Sequence, residues 1–303
     1  MTFILGVLAG FVMPAQTSIN TRLRKALQSP FRASCVNFLV GLTFIVLISF
    51  VLGDGLIPLS AFREVPVWML LAGLCGVMVL TCNLLLFPVL GSVQTVIFPV
   101  FGQITAGVLI DTFGWLGTPV IPLTVWRTLG VLVALGGVLL VATGGSKAEK
   151  AGTDKPAGTL WLYRLFGFFV GILGAVQATI NGLLATAWDS NVQSAMMNFI
   201  TGSIALLLIC AVLHPRLPKP ETDGPKWMWF GGLLGGAFVI FNAFLQRELG
   251  TGMTLILNFA GLTAGGLFID QTGILESPKR KVTLQKVLGV AVLLAGAAMI
   301  RLL

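Results

Sequence analysis

Ten stretches of about 20 residues, each almost free of charge, follow one another along this 303-residue chain. A helix of that length crosses the roughly 30 Å hydrocarbon layer of a bilayer. Lipid offers the backbone no hydrogen-bond partner, so only internally bonded helices or closed barrels can span it. A barrel strand needs only about ten alternating residues. The runs here are continuous and about twice that length, so helices are expected. The expected spans are 3–20, 32–52, 66–87, 92–110 and 126–143, followed by 165–184, 193–213, 227–245, 252–269 and 284–301. Composition agrees: 10% of residues are charged, against roughly 25% in soluble domains, and mean hydropathy is +0.97. The expectation is an all-α integral membrane protein of ten transmembrane helices, with the lipid bilayer as its surroundings.

The ten runs fall into two copies of one five-helix unit. Residues 6–41 align without gaps on 167–202 at an offset of 161, with 11 identities in 36 positions. They include Gln16/Gln177, Asn20/Asn181, Asn37/Asn198, Phe38/Phe199 and Gly41/Gly202. From residue 73 the offset becomes 159 and pairs Gly73/Gly232, Gly76/Gly235, Asn83/Asn242, Gly102/Gly261 and Asp111/Asp270. Shared leucines would follow from composition alone, but shared Gln, Asn and Asp at fixed spacing mark a duplication. The units read as residues 1–143 and 161–303, joined by a flexible linker at 144–160.

Five spans is an odd number, so the second copy enters the membrane with the opposite sense. The charges follow. Arg22, Arg24, Lys25 and Arg32 become Leu183, Ala185, Thr186 and Gln193, whereas the second copy gains Arg216, Lys219, Lys226, Lys279, Arg280 and Lys281. Putting the basic side in the cytoplasm leaves 15 Lys and Arg inside and four (Arg63, Arg127, Arg247, Arg301) outside, with both termini outside the cytoplasm. The expected place is the plasma (inner) membrane, multi-pass. The first segment carries no positive region ahead of its apolar run and reads as a retained span, not a cleaved leader.

The net charge of +8 sits in short loops beside apolar runs, where it orients helices and meets lipid headgroups; it does not point to nucleic acid. Cys35, Cys75, Cys82 and Cys210 form no CxxC pair and His214 is the only histidine, so neither a metal site nor a disulfide framework is expected. With no nucleophile–base set or phosphate loop, an enzyme is not expected, nor a cofactor.

Inverted repeats place substrate sites near the midplane between the copies, and polar residues within spans are costly unless partnered. Gln16 and Asn20 lie four apart on one helical face, as do Gln177 and Asn181. The two pairs can approach across a central pseudo-twofold axis and line a cavity with amides. They can equally serve as interhelical glue. Asn37/Asn198 and Asn83/Asn242 are open to the same two readings, with packing or capping the plainer one. Asp111 and Asp270 close two spans in the frames LIDTFG and FIDQTG, where an acid either holds a proton or cation or simply ends a helix in water. No Asp, Glu, Lys or Arg lies in the middle of any span, and glutamine stands on the first helix where cation export uses a carboxylate.

The segments PAQTSINTRLRKAL…SPFRASCVNFLVG and AVQATINGLLATA…SAMMNFITG resemble the YdcZ-type proteins of the drug/metabolite transporter superfamily, over both halves of the chain. The resemblance implies a fused two-copy member with ten helices, a central cavity and alternating access. It implies no substrate; the amides, in place of acids, on the first helix of each copy lead to the expectation of a secondary transporter or exporter of a small uncharged or zwitterionic molecule, as a monomer or homodimer. A non-transporting membrane scaffold or sensor subunit is the alternative, with the same amides used only for packing.

Overall fold

The computed structural model describes residues 1–143, 157–213, 224–276 and 283–302. The described residues are helical throughout their long segments: α1 (Thr2–Leu27), α2 (Pro30–Leu52), a single turn α3 (Ala61–Glu64), α4 (Ala72–Phe113), α5 (Val125–Thr143), α6 (Ala157–Ala187), α7 (Asn191–Leu213), α8 (Gly231–Leu249), α9 (Thr251–Thr272) and α10 (Leu284–Leu302). Six of these segments are long and apolar enough to cross a membrane, and four shorter apolar ones accompany them: Val67–Val79, Phe98–Phe113, Val125–Val141 and Leu284–Ile300. Most of the expected linker lies outside the described residues, although α6 begins inside it at Ala157.

The expected spans 66–87 and 92–110 fall on one helical run of 42 residues, α4. It cannot be straight. In a straight helix Leu86 and Phe98 would stand about 18 Å apart. Both lie against Gly167 of α6, where a built Cβ would be 3.2 Å from Phe98 Cβ and 3.5 Å from Leu86 Cδ1. The chain therefore reverses between them, an interval in which the sequence places Pro88 and Gly91. The arms pass α6 in opposite senses: Gly76 meets Gln177 and Leu86 meets Gly167, while Pro99 meets Gly171 and Gln103 meets Gly174. In the second copy the corresponding reversal is an open turn at Gly250, whose φ of 78° and ψ of 170° separate α8 from α9.

Contacts between the copies dominate, and glycines make them possible. A Cβ on Gly10 would strike the Asn258 carbonyl oxygen, and one on Gly261 that of Val7, so α1 and α9 touch backbone to backbone. Gly102 against Phe168 and Gly171 against Pro99 repeat this crossing between α4 and α6. Such close approach is how membrane helices associate where lipid removes the hydrophobic drive.

The duplicated Asn-Phe-x-x-Gly element also acquires a physical role. The Phe38 ring covers Gly202 and the Phe199 ring covers Gly41, and the rings pack on each other with centroids 4.9 Å apart. The adjoining Asn37 and Asn198 carbonyls lie against Gly232 and Gly73. Along this crossing α2 and α7 run antiparallel, and so do α5 and α10. Gly130 and Gly137 of α5 meet Gly296 and Gly289 of α10 respectively.

The loops sort onto two faces. Arg22, at the end of α1, pairs with Glu276 at 3.0 Å and lies near Gly224, so this face carries the basic end of α1. On the opposite face, Ser190 Oγ donates to Asp54 at 2.7 Å, Trp188 Nε1 donates to the Ala61 carbonyl at 3.1 Å, and Arg247 pairs with Asp189 at 2.9 Å.

Candidate functional site

Gln16, Asn20 and Asn37 converge on two glycines of the other copy. A Cβ on Gly235 would collide with Gln16 Nε2, and one on Gly231 would meet Asn20 Oδ1 and lie 3.1 Å from Asn37 Oδ1. Helical spacing brings Gln16 and Asn20 to this face, Asn37 arrives from α2, and the absence of side chains on α8 opens the space. Gln16 and Asn37 are buried. Among the described residues, Gln16 Oε1, Asn20 Oδ1 and Asn37 Oδ1 have no hydrogen-bond partner. A buried acceptor left unpaired costs about 1–3 kcal/mol. Three such acceptors in one place form a surface suited to N–H or O–H donors.

The equivalent place in the other half is arranged differently. Gln177 stands over Gly76, where a Cβ would be 2.6 Å from its Nε2, and Nε2 donates to Asn198 Oδ1 at 3.3 Å. Asn198 is buried and this amide pair is internally satisfied on that side. Asn181 is buried too; its carbonyl accepts from Ser194 Oγ at 2.6 Å while its Oδ1 has no partner among the described residues. Each glutamine is thus set against the opposite copy's glycines, and the contacts do not bring Gln16 and Gln177 onto each other.

Asn242 Nδ2 donates to the Phe238 carbonyl at 3.0 Å, and its Oδ1 accepts from Asn258 Nδ2. Asn258, buried on α9, keeps an unpartnered Oδ1 among the described residues. The side chains of Asn83 and Asp270 lie outside the described residues.

A second buried polar cluster joins five helices. The Asp111 carboxylate, 2% exposed, accepts from Thr251 N at 3.0 Å and Gly252 N at 2.8 Å. These are the first residues of α9, whose leading N–H groups have no partner within the helix. Arg127 Nη2 pairs with Asp111 at 3.2 Å and its Nη1 donates to the Ile121 carbonyl at 2.7 Å. Thr251 Oγ1 lies 3.0 Å from Thr179 Oγ1 on α6 and 3.4 Å from Gln246 Oε1. Asp111 therefore ends α4 and caps α9 away from water.

This second cluster was largely hidden in the sequence. Arg127 counts there as one of four basic residues outside, yet it is only 6% exposed. Gln246 and Thr251 flank the turn between two expected spans, and Thr179 is a lone hydroxyl within one. The duplicated Ile-Asp-x-x-Gly frame was the one signal that pointed to this place. Two cavities lie apart from the amides: an apolar groove of about 390 Å³ between α1, α9 and α10, and one of about 200 Å³ lined by Thr17, Ser18, Thr21, Arg22, Lys25 and Glu276.

A family model described as "Putative inner membrane exporter, YdcZ" matches residues 1–140 and 162–299, and the chain belongs to that family. No curated protein matches it in sequence. Among solved structures, 27 chains match. One of them, a protein crystal structure, is 17% identical and superposes with a TM-score of 0.73 over 99% of this chain and 95% of that one. At that identity the likeness concerns the fold alone.

Proposed function

We propose that this member of the YdcZ exporter family moves a small uncharged or zwitterionic molecule across the inner membrane by alternating access between two inverted five-helix copies. Ten spans follow if both arms of α4 cross the bilayer, as α8 and α9 do in the second copy. Inversion is supported by the antiparallel pairing of equivalent helices, α2 with α7 and α5 with α10. The basic face is assigned to the cytoplasm, which puts the termini outside. The copies are units 1–143 and 161–303, and the protein works within the bilayer as a monomer or homodimer.

The observation that carries the substrate reading is the group of unpartnered acceptors of Gln16, Asn20 and Asn37 over Gly231 and Gly235. Interhelical packing alone gives no reason for three unmatched acceptors to gather in one place. A site built of amides without a charge suits a ligand that offers hydrogen-bond donors and carries no net charge to neutralise. Gln177, Asn181, Asn198, Asn242 and Asn258 extend the same polar lining through the second copy, with Gln177 and Asn198 partly engaged with each other.

The test is uptake into proteoliposomes across a metabolite library, repeated with Gln16→Leu and Gln177→Leu. Saturable flux of a neutral or zwitterionic compound that disappears in Gln16→Leu, with the fold kept, is the expected result. Flux unaffected by Gln16→Leu sinks the site. Absence of saturable flux for every compound favours the scaffold or sensor reading.

A further inference from the structure

Several side-chain ties cross between the copies on the face opposite Arg22, and the duplication treats them unequally. At the offsets of the repeat, Asp189 and Arg247 correspond to Gln28 and Pro88, Trp188 to Leu27, and Thr179 to Ser18. The buried pair Asp111–Arg127 instead corresponds to Asp270 and Lys286, an acid and a base again. The helix starts agree as well. Thr124 Oγ1 accepts from Arg127 N at 3.1 Å, and Thr283 Oγ1 accepts from Lys286 N at 3.4 Å. The basic residue therefore occupies the same turn of α5 and of α10.

We propose that Asp111 is a latch: held by Arg127, its carboxylate grips the first two N–H groups of α9 and keeps the mouth on this face closed, and opening that mouth requires α9 to leave it. Asp270 and Lys286 are the counterparts of this pair in the sequence of the second copy. The inference rests on the alternating-access reading above. Its physical basis is that the carboxylate is buried between two copies that must part. The grip joins the end of α4 to the start of α9 through backbone donors that no side-chain motion can withdraw. Moving α9 also moves Asn258 and so reshapes the polar lining between the mouths. Arg127 pairs with the carboxylate that accepts both N–H groups, and a positioning role for Asp111 needs no proton transfer.

The test uses full-length protein in sealed vesicles of both orientations, with Cys35, Cys75, Cys82 and Cys210 replaced by alanine and Gln246→Cys as reporter beneath the latch. The probe is a membrane-impermeant maleimide. Asp111→Asn should raise labelling from the Asp111 face by about tenfold, the shift that follows from losing about 1.4 kcal/mol of closure. Thr251→Pro should do the same, because proline removes one gripping N–H at a first helical position that tolerates it. Thr251→Val, which keeps that N–H and loses only the Oγ1 bond to Thr179, should label well below Thr251→Pro. Parent-like labelling in both Asp111→Asn and Thr251→Pro overturns the latch, and so does equal labelling of Thr251→Pro and Thr251→Val. If Asp111→Asn does not fold, the proline–valine contrast decides. Labelling needs no substrate, so a latch failure is separable from a failure of the transport reading, which appears as absent flux with labelling that still responds.

Discussion

Adjacent glycines on α9 should respond to alanine in opposite directions. At Gly265 a Cβ would collide with the Phe11 carbonyl oxygen and lie 2.9 Å and 3.0 Å from Phe11 C and Cα. All three are backbone atoms of α1, so no rotamer change can relieve the collision. Restoring ordinary contact with that oxygen means displacing α1 by more than about 1 Å, and a gap of even about 1 Å forfeits a quarter to a half of the dispersion energy of the facing pairs. The same crossing holds Gly10 against Asn258 and Gly261 against Val7, so the loss spreads along it. Overpacking of this kind costs about 3 kcal/mol, the upper part of its usual range. Alanine returns about 1 kcal/mol of helix propensity, leaving Gly265→Ala about 2 kcal/mol less stable. At Gly266 the nearest atom to a built Cβ is Pro14 Cγ at 3.9 Å, so only the propensity gain of about 1 kcal/mol remains. Thermal unfolding in detergent, followed by a thiol dye reporting on buried Cys35, should place Gly265→Ala several degrees below the parent and Gly266→Ala slightly above it. A Gly265→Ala protein melting at or above Gly266→Ala would refute the close crossing of α1 and α9.

Gln16→Leu should melt no lower than the parent, because it removes a buried acceptor whose unpaired state costs about 1–3 kcal/mol, while flux is lost; parallel melting and proteoliposome assays check this. Arg127→Met should cost about 3 kcal/mol by leaving Asp111 without its counter-charge. Asp111→Asn combined with it should cost less than the sum of the single changes, as a double-mutant cycle on the same melts would record. Asp189→Asn should change stability by less than about 0.5 kcal/mol, since the Asp189 side chain is 92% exposed, its ion pair with Arg247 is screened, and asparagine tolerates the left-handed φ of 48°.

The helical, membrane-spanning character and the duplicated residues were legible because lipid fixes span length and because Gln, Asn and Gly keep their spacing between the copies. Helical spacing also placed Gln16 and Asn20 on one face. What spacing cannot give is the neighbour across that face. Gln16 and Gln177 lie against Gly235 and Gly76 of the opposite copies, neighbours that hydropathy does not register because the packing there depends on missing side chains. The Asn-Phe-x-x-Gly element was visible as a repeat, but its meaning, a phenyl ring over the other copy's glycine, needs the antiparallel crossing of α2 and α7. Arg127 illustrates the other limit. A single arginine at the start of an apolar run is indistinguishable from an interfacial charge until its partner, 16 residues upstream, is brought beside it by the turn between α4 and α5.

The copies also differ in ways that bear on which state an alternating-access protein would occupy. Two identical inverted copies would make the two end states equal in energy. Here the face carrying Asp111 is held by bonds whose residues are not reproduced in the other copy, among them Trp188 Nε1 to the Ala61 carbonyl and Arg247 to Asp189. With Leu27 in the position equivalent to Trp188, the indole bond has no counterpart at the opposite end. Under the proposed alternating access, the state closed on this face would be favoured, and a substrate would drive the transition only by binding the other state more tightly. Trp188→Phe keeps the ring that packs against Phe62 and removes the indole donor. A hydrogen bond of this kind contributes about 1 kcal/mol, so the equilibrium should move about fivefold toward opening on this face. The Gln246→Cys labelling rate reads that shift directly. If Trp188→Phe leaves the rate unchanged, while Asp111→Asn raises it, closure rests on the duplicated latch alone and the two end states are nearly balanced.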